Sequence, residues 1–255
     1  MSNPVEIVLI YQSLLGIYGD RGNAMVLLKR LQWRGIEATL TVVDPGTVIT
    51  THLTEIVKDN IADLLTYAET SKLLSELHKD MEKLVADIVP SRISISGIQR
   101  ILQNLLSEGV SIRDLQTILE GIAEAAPLTH NLTQMTEHVR ARLARQISTS
   151  HMREGAIPIL TLSGRWDQEF TESIVGDGDE RQLAMAPSSL QGFIANVREA
   201  FDRVAGEGEI PCLLTNPTIR PFVRSIIERV RPATVVLSQN EVHPRARIRT
   251  LGMIG

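Results

Sequence analysis

The chain contains one cysteine, Cys212, and its thiol is the first candidate for nucleophilic chemistry. A nucleophilic cysteine needs an exposed position on a turn and a neighbouring base that lowers its pKa. Cys212 lies instead within the apolar run from residue 210 to residue 215, which predicts a buried strand. We therefore expect an inert thiol and no catalytic residue. A single cysteine also excludes an internal disulfide and indicates a reducing compartment.

The histidines and acidic residues do not assemble a recognisable metal motif. His52 and Glu55 have the i,i+3 spacing of two ligands on one helix face, but the motif H-E-x-x-H is absent. Asp177 and Asp179 resemble part of a calcium loop without its twelve-residue ligand pattern, and a surface turn explains them better. The sequence thus predicts no metal site and six solvated or helix-capping histidines, which are His52, His78, His130, His138, His151 and His243.

Three glycines near the N-terminus raise the question of a phosphate-binding loop. Gly16, Gly19 and Gly22 have the spacing G-x-x-G-x-x-G, which is neither the dinucleotide fingerprint nor the Walker loop with its Lys-Ser/Thr ending. We interpret the segment as a wide turn between a strand and a helix, and we expect no cofactor.

Composition narrows the class of protein further. The chain has 255 residues, 43% of them apolar, and a net charge of −4, which argues weakly against nucleic acid as a partner. No apolar run reaches the ~20 residues of a membrane span, and the N-terminus lacks the pattern of a secretory signal. Residues 97–107 and 112–124 have the spacing of a DNA-binding helix pair, but the surrounding segment has more acidic residues than arginines, which favours a structural core. We expect a cytoplasmic protein that binds no nucleic acid.

The pattern of apolar residues predicts a mixed α/β fold. A strand-helix-strand unit occupies residues 1–43, connecting helices residues 44–89, a helical subdomain residues 90–150, and an α/β subdomain with a partly parallel sheet residues 151–255. Strands are expected at residues 5–11, 37–43, 157–162, 210–215, 234–238 and 247–254, with 210–215 and 234–238 joined by a parallel crossover.

Helix starts are predicted from capping residues. Asp44 caps a helix that has Pro45 in its first position. Further caps are expected at Thr66, Ser96, Ser111 and Asn131.

One helix carries a basic side that could meet an acidic partner or a neighbouring subunit. It follows the segment from Asn216 to Pro221, and Arg220 and Arg224 lie on it. Asn240 and His243 come from the segment after the next strand and join this candidate partner surface, although a solvated face is the plainer interpretation. By these arguments the residues favour a binding or scaffold role over catalysis.

Residues from about 41 to 255 resemble the C-terminal cytosolic domain of the flagellar type III export-gate family FlhA. The matching stretches, in order, are Val42–Leu53, Arg100–Leu106, Ile112–Glu120, Asp179–Pro187, Leu213–Arg229 and Val235–Arg247. The resemblance implies a binding and scaffold domain without enzymatic activity, a homo-oligomeric ring at the cytosolic face of the inner membrane, and the docking of chaperone–substrate complexes and other export-apparatus proteins. It also implies partner-binding roles for Asp44, Thr50 and Thr51.

Residues 1–43 are similar to a different family. The stretches Val5–Tyr11, Leu14–Asn23 and Leu31–Ile36 resemble the N-terminus of the GatD glutaminase subunit of lipid II isoglutaminyl synthase. That family needs a cysteine on a strand-to-helix elbow and a histidine partner, and this segment contains neither. A GatD-type glutaminase subunit of peptidoglycan amidation is therefore the alternative function.

Together the two resemblances predict a chimera. The junction between its two parts lies at residues 41–43. These residues fit both families, as the second strand of the GatD-like unit and as the strand before the capped helix of the export-gate domain. Because the front of the export-gate domain is missing under this interpretation, we also expect poor binding of flagellar chaperones.

Overall fold

The computed structural model describes residues 5–10, 20–43, 45–77, 79–176 and 178–255. The described chain divides into two compact units, the first ending at Ile61 and the second running from Ala62 to Gly255. The finer division at residues 43, 89 and 150 stays a prediction.

The first unit is a strand-helix-strand motif followed by a helix. Strands β1 (Val5–Ile10) and β2 (Ala38–Val43) pair in parallel, with Val5 opposite Ala38, and helix α1 (Asp20–Trp33) joins them. Helix α2 (Pro45–Asp59) begins at the predicted proline. Ala24 of α1 is buried, whereas Leu27, Ile49 and Leu53 are exposed.

The second unit opens with helices, the first of which begins at the last residue of the first unit. They are α3 (Ile61–Leu64), α4 (Tyr67–Ser75), α5 (Lys79–Ile88), α6 (Ile95–Ser107), α7 (Leu115–Ala125), α8 (Leu132–Arg142) and α9 (Ala144–His151). Apolar residues in α6 and α7 recur at the i, i+3, i+4 spacing, which places them on one face of each helix. This face is directed inward, and its fully buried residues include Ile98, Ile101, Leu102, Leu105 and Ile118.

The rest of the second unit is built on a four-stranded parallel sheet. Its strands are β3 (Ile157–Leu162), β6 (Cys212–Thr215), β7 (Val236–Ser238) and β8 (Ile248–Ile254), in the order β7-β6-β3-β8. The parallel pairing of β6 with β7 confirms the predicted crossover. A short antiparallel pair, β4 (Ile174–Val175) with β5 (Gln182–Leu183), was absent from the sequence prediction.

The two faces of this sheet belong to different cores. Ile157 and Ile159 face the helical core, whereas Leu160 faces the helices of the C-terminal part. Those helices are α10 (Gly164–Glu172), α11 (Pro187–Gly206) and α12 (Arg220–Val230). Phe193 of α11 packs edge-to-face on Phe170 at 4.8 Å between ring centroids. The observed architecture confirms the mixed α/β class with a partly parallel sheet.

Two predicted caps are wrong and two are confirmed. Helix α6 is capped by Ser94, not Ser96, and α7 by Asp114, not Ser111. Thr66 and Asn131 cap α4 and α8 as predicted, since each side chain accepts a backbone N–H of the first turn. The cap assigned to Asp44 falls outside the described residues.

Candidate functional site

Six charged side chains meet where the helices of the second unit join its sheet. Three are guanidinium groups and three are carboxylates, so the formal charges balance. We call this set the buried ion network, and its members are Glu108 at the end of α6, Glu137 and Arg140 of α8, Arg220 and Arg224 of α12, and Glu241 in the 3-10 turn after β7.

Glu241 is the centre of the buried ion network. Its side chain has no exposed surface, and its Oε2 accepts hydrogen bonds from Arg140 Nε at 3.1 Å and Nη2 at 2.5 Å. Its Oε1 lies 3.0 Å from Arg220 Nε and accepts bonds from the backbone N–H and the hydroxyl of Ser238. Burial opposes ionisation here, but Arg220 and Arg140 hold the pKa of Glu241 below its usual range. The carboxylate is therefore fixed and charged.

Arg220 connects Glu241 to the helical part. Its Nη1 donates to Glu137 at 2.5 Å, its Nη2 donates to Glu108, and its Nε donates to the carbonyl of Val236 at 3.1 Å. Arg220 is 1% exposed, whereas the side chains of Glu137 and Glu108 are 20% and 15% exposed. Each of its three nitrogens thus joins helix α12 to another element.

Arg224 lies at the edge of the same network. Its Nη1 donates to the carbonyl of Thr234 at 3.0 Å, and its Nε lies 3.8 Å from Glu108. The network as a whole holds α6 and α8 against α12 and the end of β7. Each of its carboxylates lies against a guanidinium group, an arrangement that supports a role in holding these elements together.

The predicted partner surface needs a correction. Arg220 and Arg224 were expected on a basic exposed side of α12, but they are 1% and 9% exposed and contact carboxylates of the same chain. These two arginines are thus explained by ion pairs within the chain and not by a basic exposed face. Asn240 is exposed and His243 is half-buried, so these two remain available to a partner.

Two of the three residues that the resemblance predicts to bind partners lie on helix α2. Thr50 and Thr51 are exposed there, and Asp44 lies outside the described residues. Their partner-binding role stays a prediction.

The other candidate motifs do not build a site. Gly22 lies inside α1, which corrects its assignment to a loop, while Gly16, Gly19, His78 and Asp177 fall outside the described residues. Within the described ranges, no group of three or more His, Cys, Asp or Glu side chains could hold a metal ion. No helix in the same part of the chain is long and apolar enough to cross a membrane.

Cys212 is a buried strand residue, as predicted. It is 4% exposed in β6, and burial raises the pKa of its thiol to about 11. Arg153 lowers this pKa slightly but does not offset burial. At neutral pH the group is a neutral thiol, which is a poor nucleophile.

Alkylation of Cys212 by iodoacetamide should therefore be slow in the folded protein. A thiol pKa of about 11 in place of 9.0 lowers the thiolate fraction at pH 8 by about 100-fold, and burial limits access further. The check is mass spectrometry of the labelled fraction over time, with the protein in urea as the control. Equal rates in buffer and in urea would contradict the buried assignment.

Comparison with known proteins identifies relatives over most of the chain. The model of the FHIPEP family matches residues 23–247. The chain is similar to a flagellar biosynthesis protein FlhA of Caulobacter vibrioides, with 59% identity over 215 residues that make up 84% of this chain and 31% of the relative. It is also similar to the FlhA of Escherichia coli, with 32% identity over 216 residues that make up 84% of this chain and 30% of the relative. The chain thus spans about a third of the length of these curated relatives.

Solved structures with the same fold include a CdsV protein and an EscV cytosolic domain. The CdsV protein of Chlamydia pneumoniae superposes with a TM-score of 0.79 and 26% identity, over 91% of this chain and 65% of that one. A nonameric EscV cytosolic domain from the type III secretion system superposes with a TM-score of 0.73 and 26% identity, over 92% of this chain and 68% of that one. CdsV has also been solved in complex with the CdsO protein, in a structure that superposes with a TM-score of 0.74.

Proposed function

The chain belongs to the FHIPEP family, and we propose that it forms part of the cytosolic domain of a flagellar or type III protein-export gate. In this role it is a binding and scaffold domain that docks chaperone–substrate complexes and assembles within the export apparatus. The observation that carries the proposal is the family match over residues 23–247, which includes helices and strands of both compact units.

The chemistry of the described residues supports a scaffold over an enzyme. Cys212 is buried and protonated, and the buried ion network pairs its carboxylates with guanidinium groups. Such a network suits a domain that must hold its subdomains in a defined arrangement while partners bind outside it.

We extend the proposal to assembly and partners. The nonameric state of the EscV domain supports a homo-oligomer, and the CdsV–CdsO complex supports contacts with other export proteins. On helix α2 the exposed Thr50 and Thr51 are the proposed docking positions, with Asp44 next to them in sequence. The exposed apolar side chains of Ile49 and Leu53 on the same helix would add contact area for a protein partner.

A segment exchange tests the proposed function. The part of this chain that matches the Caulobacter relative would replace the corresponding segment of that protein in its own host. We expect the hybrid to restore swimming in soft agar and secretion of flagellar proteins, because the exchanged segment has 59% identity to the original. The same hybrid with Cys212→Ser is the matched control and should export equally well. A hybrid that accumulates normally but exports nothing would refute the proposal.

The resemblance of residues 1–43 to GatD supports a second candidate, a glutaminase-like subunit formed by a chimeric chain. Its test is the release of ammonia from glutamine by the purified protein, with Cys212→Ala as the comparison. Because Cys212 is buried in a strand and its pKa is raised, we expect no release above that of the variant. Release that depends on Cys212 would establish the second candidate.

A further inference from the structure

We propose that a cationic cleft between helix α9 and the turn 243–246 binds an acidic peptide segment of another protein. The cleft has a volume of about 580 Å³, and its lining includes Arg145, Met152, His243, Arg245 and Ala246. It lies within the second unit and shares no lining residue with helix α2, so it would be a site distinct from the proposed docking positions Thr50 and Thr51.

The charged side chains that line the cleft are all cationic. None of its lining residues is acidic, and Arg145 and Arg245 are exposed without an ion pair to any described residue. Arg153 and Arg247 adjoin the lining residues Met152 and Ala246 in sequence, and both are also exposed. A chain whose net charge is −4 therefore concentrates unpaired positive charge at this place.

The acidic groups nearby offset only part of this charge. Glu154 is exposed and adjoins Arg153 in sequence, outside the lining of the cleft. Glu241 belongs to the same region of the chain, but its carboxylate is fully buried and occupied by Arg140 and Arg220. The guanidinium groups of Arg145 and Arg245 thus remain free for carboxylates from outside, which they can bind through two parallel hydrogen bonds each.

The walls of the cleft are fixed before a ligand arrives. Ser148 of α9 donates a hydrogen bond to the carbonyl of Glu241 at 3.1 Å and accepts one from the backbone N–H of His243 at 2.8 Å. The backbone N–H of Arg245 donates to His243 Nδ1 at 3.2 Å, and that of Ala246 to the carbonyl of His243 at 2.8 Å. A rigid cleft loses little conformational entropy on binding, which favours affinity.

The lining favours a peptide over a simple anion. Met152, Pro244 and Ala246 provide apolar surface beside the two arginines, and a free phosphate would leave that surface uncovered. A nucleic acid needs a broad basic face, which is unusual on a chain of this net charge. A segment with several carboxylates around one apolar side chain would use both kinds of surface.

Fluorescence anisotropy with a defined probe tests the proposal. The probe is a fluorescein-labelled peptide that carries four glutamates around one leucine, titrated with the whole chain at 50 and 150 mM NaCl. We expect saturable binding that weakens at the higher salt concentration. The double variant Arg145→Glu/Arg245→Glu should raise Kd by about tenfold or more, because it replaces two guanidinium groups that attract carboxylates with two carboxylates that repel them.

Matched controls distinguish binding in the cleft from nonspecific electrostatic attraction between the peptide and the protein. Arg181→Glu/Arg198→Glu makes the same change in net charge at exposed positions outside the cleft and should raise Kd by less than about threefold, because salt screens distant charges. A peptide with four glutamines in place of the glutamates should not bind. Thermal melting of both double variants confirms that these surface changes leave the fold intact.

Several outcomes would overturn the proposal. They are no measurable binding of the acidic peptide, equal weakening by the two double variants, or equal binding of the glutamine peptide. Competition by tripolyphosphate that is as strong as competition by the unlabelled acidic peptide would also overturn it, by assigning the cleft to simple anions.

Discussion

Replacement of Glu241 by leucine is expected to lower the free energy of unfolding by about 3–5 kcal/mol, because it leaves buried charges without a partner. Arg140 and Arg220 are each 1% exposed, and both direct guanidinium nitrogens at this carboxylate. The substitution also removes the acceptor for the backbone N–H and the hydroxyl of Ser238. Urea denaturation followed by circular dichroism measures the difference.

A surface pair provides the control for this substitution. Glu209 forms two hydrogen bonds with Arg249, at 2.6 and 2.9 Å, but 42% of the Arg249 side chain is exposed. Because solvent screens such a pair, Glu209→Leu should cost at most about 1 kcal/mol. Equal losses in the two variants would show that burial of the ion network adds nothing to its stabilising effect.

The role of Glu241 in the fold was not visible in the sequence. Arg140 and Glu241 are separated by 101 positions, and Glu108 and Arg220 by 112. Residue spacing identifies partners on one helix, but it carries no signal for pairs that meet through tertiary packing. Arg220 and Arg224 were therefore predicted to lie on a basic face of α12, whereas the fold turns them inward.

The strands and helices were easier to predict from the sequence than these long-range pairs. The apolar run Ile157–Leu162 predicted β3 with both of its bounds, because a strand covered on both faces needs apolar residues throughout. Helix starts were harder, since Ser94 and Ser96 can both cap α6 and local sequence does not choose between them. In the structure Ser94 accepts the backbone N–H of Gly97, and Ser96 lies inside the helix.

Helix α10 was missed for a different reason. Its buried face consists of Trp166 and Phe170, two aromatic residues in an otherwise polar segment of nine residues. Two apolar positions are too few to establish a helical period. Tertiary packing of both rings on Phe193 gives the stabilisation that the local sequence lacks.

Glu137 should make the stability of the protein depend on pH in the neutral range. Burial raises the pKa of this carboxyl to about 7, against the opposing effect of Arg220, and Glu241 and Glu108 add to the rise while Arg140 reduces it. A raised folded-state pKa means that the native state favours the protonated form. The stability that Glu137 contributes is thus fully present below about pH 4.5 and is lost as the pH rises through about 7.

The variant Glu137→Gln keeps the shape of the protonated side chain and cannot ionise. We expect it to match the wild type in stability at about pH 4 and to exceed it at pH 8 by up to about 3 kcal/mol, the free energy of a shift from 4.5 to about 7. Urea denaturation of both proteins between pH 4 and pH 8 isolates this group, because Glu241 and the other titrating residues are common to both. If Glu137 instead serves as an ionised partner of Arg220, which donates to it at 2.5 Å, the variant will be the less stable protein at pH 8. The sign of the difference at pH 8 therefore decides whether the buried ion network holds two permanent carboxylates or three.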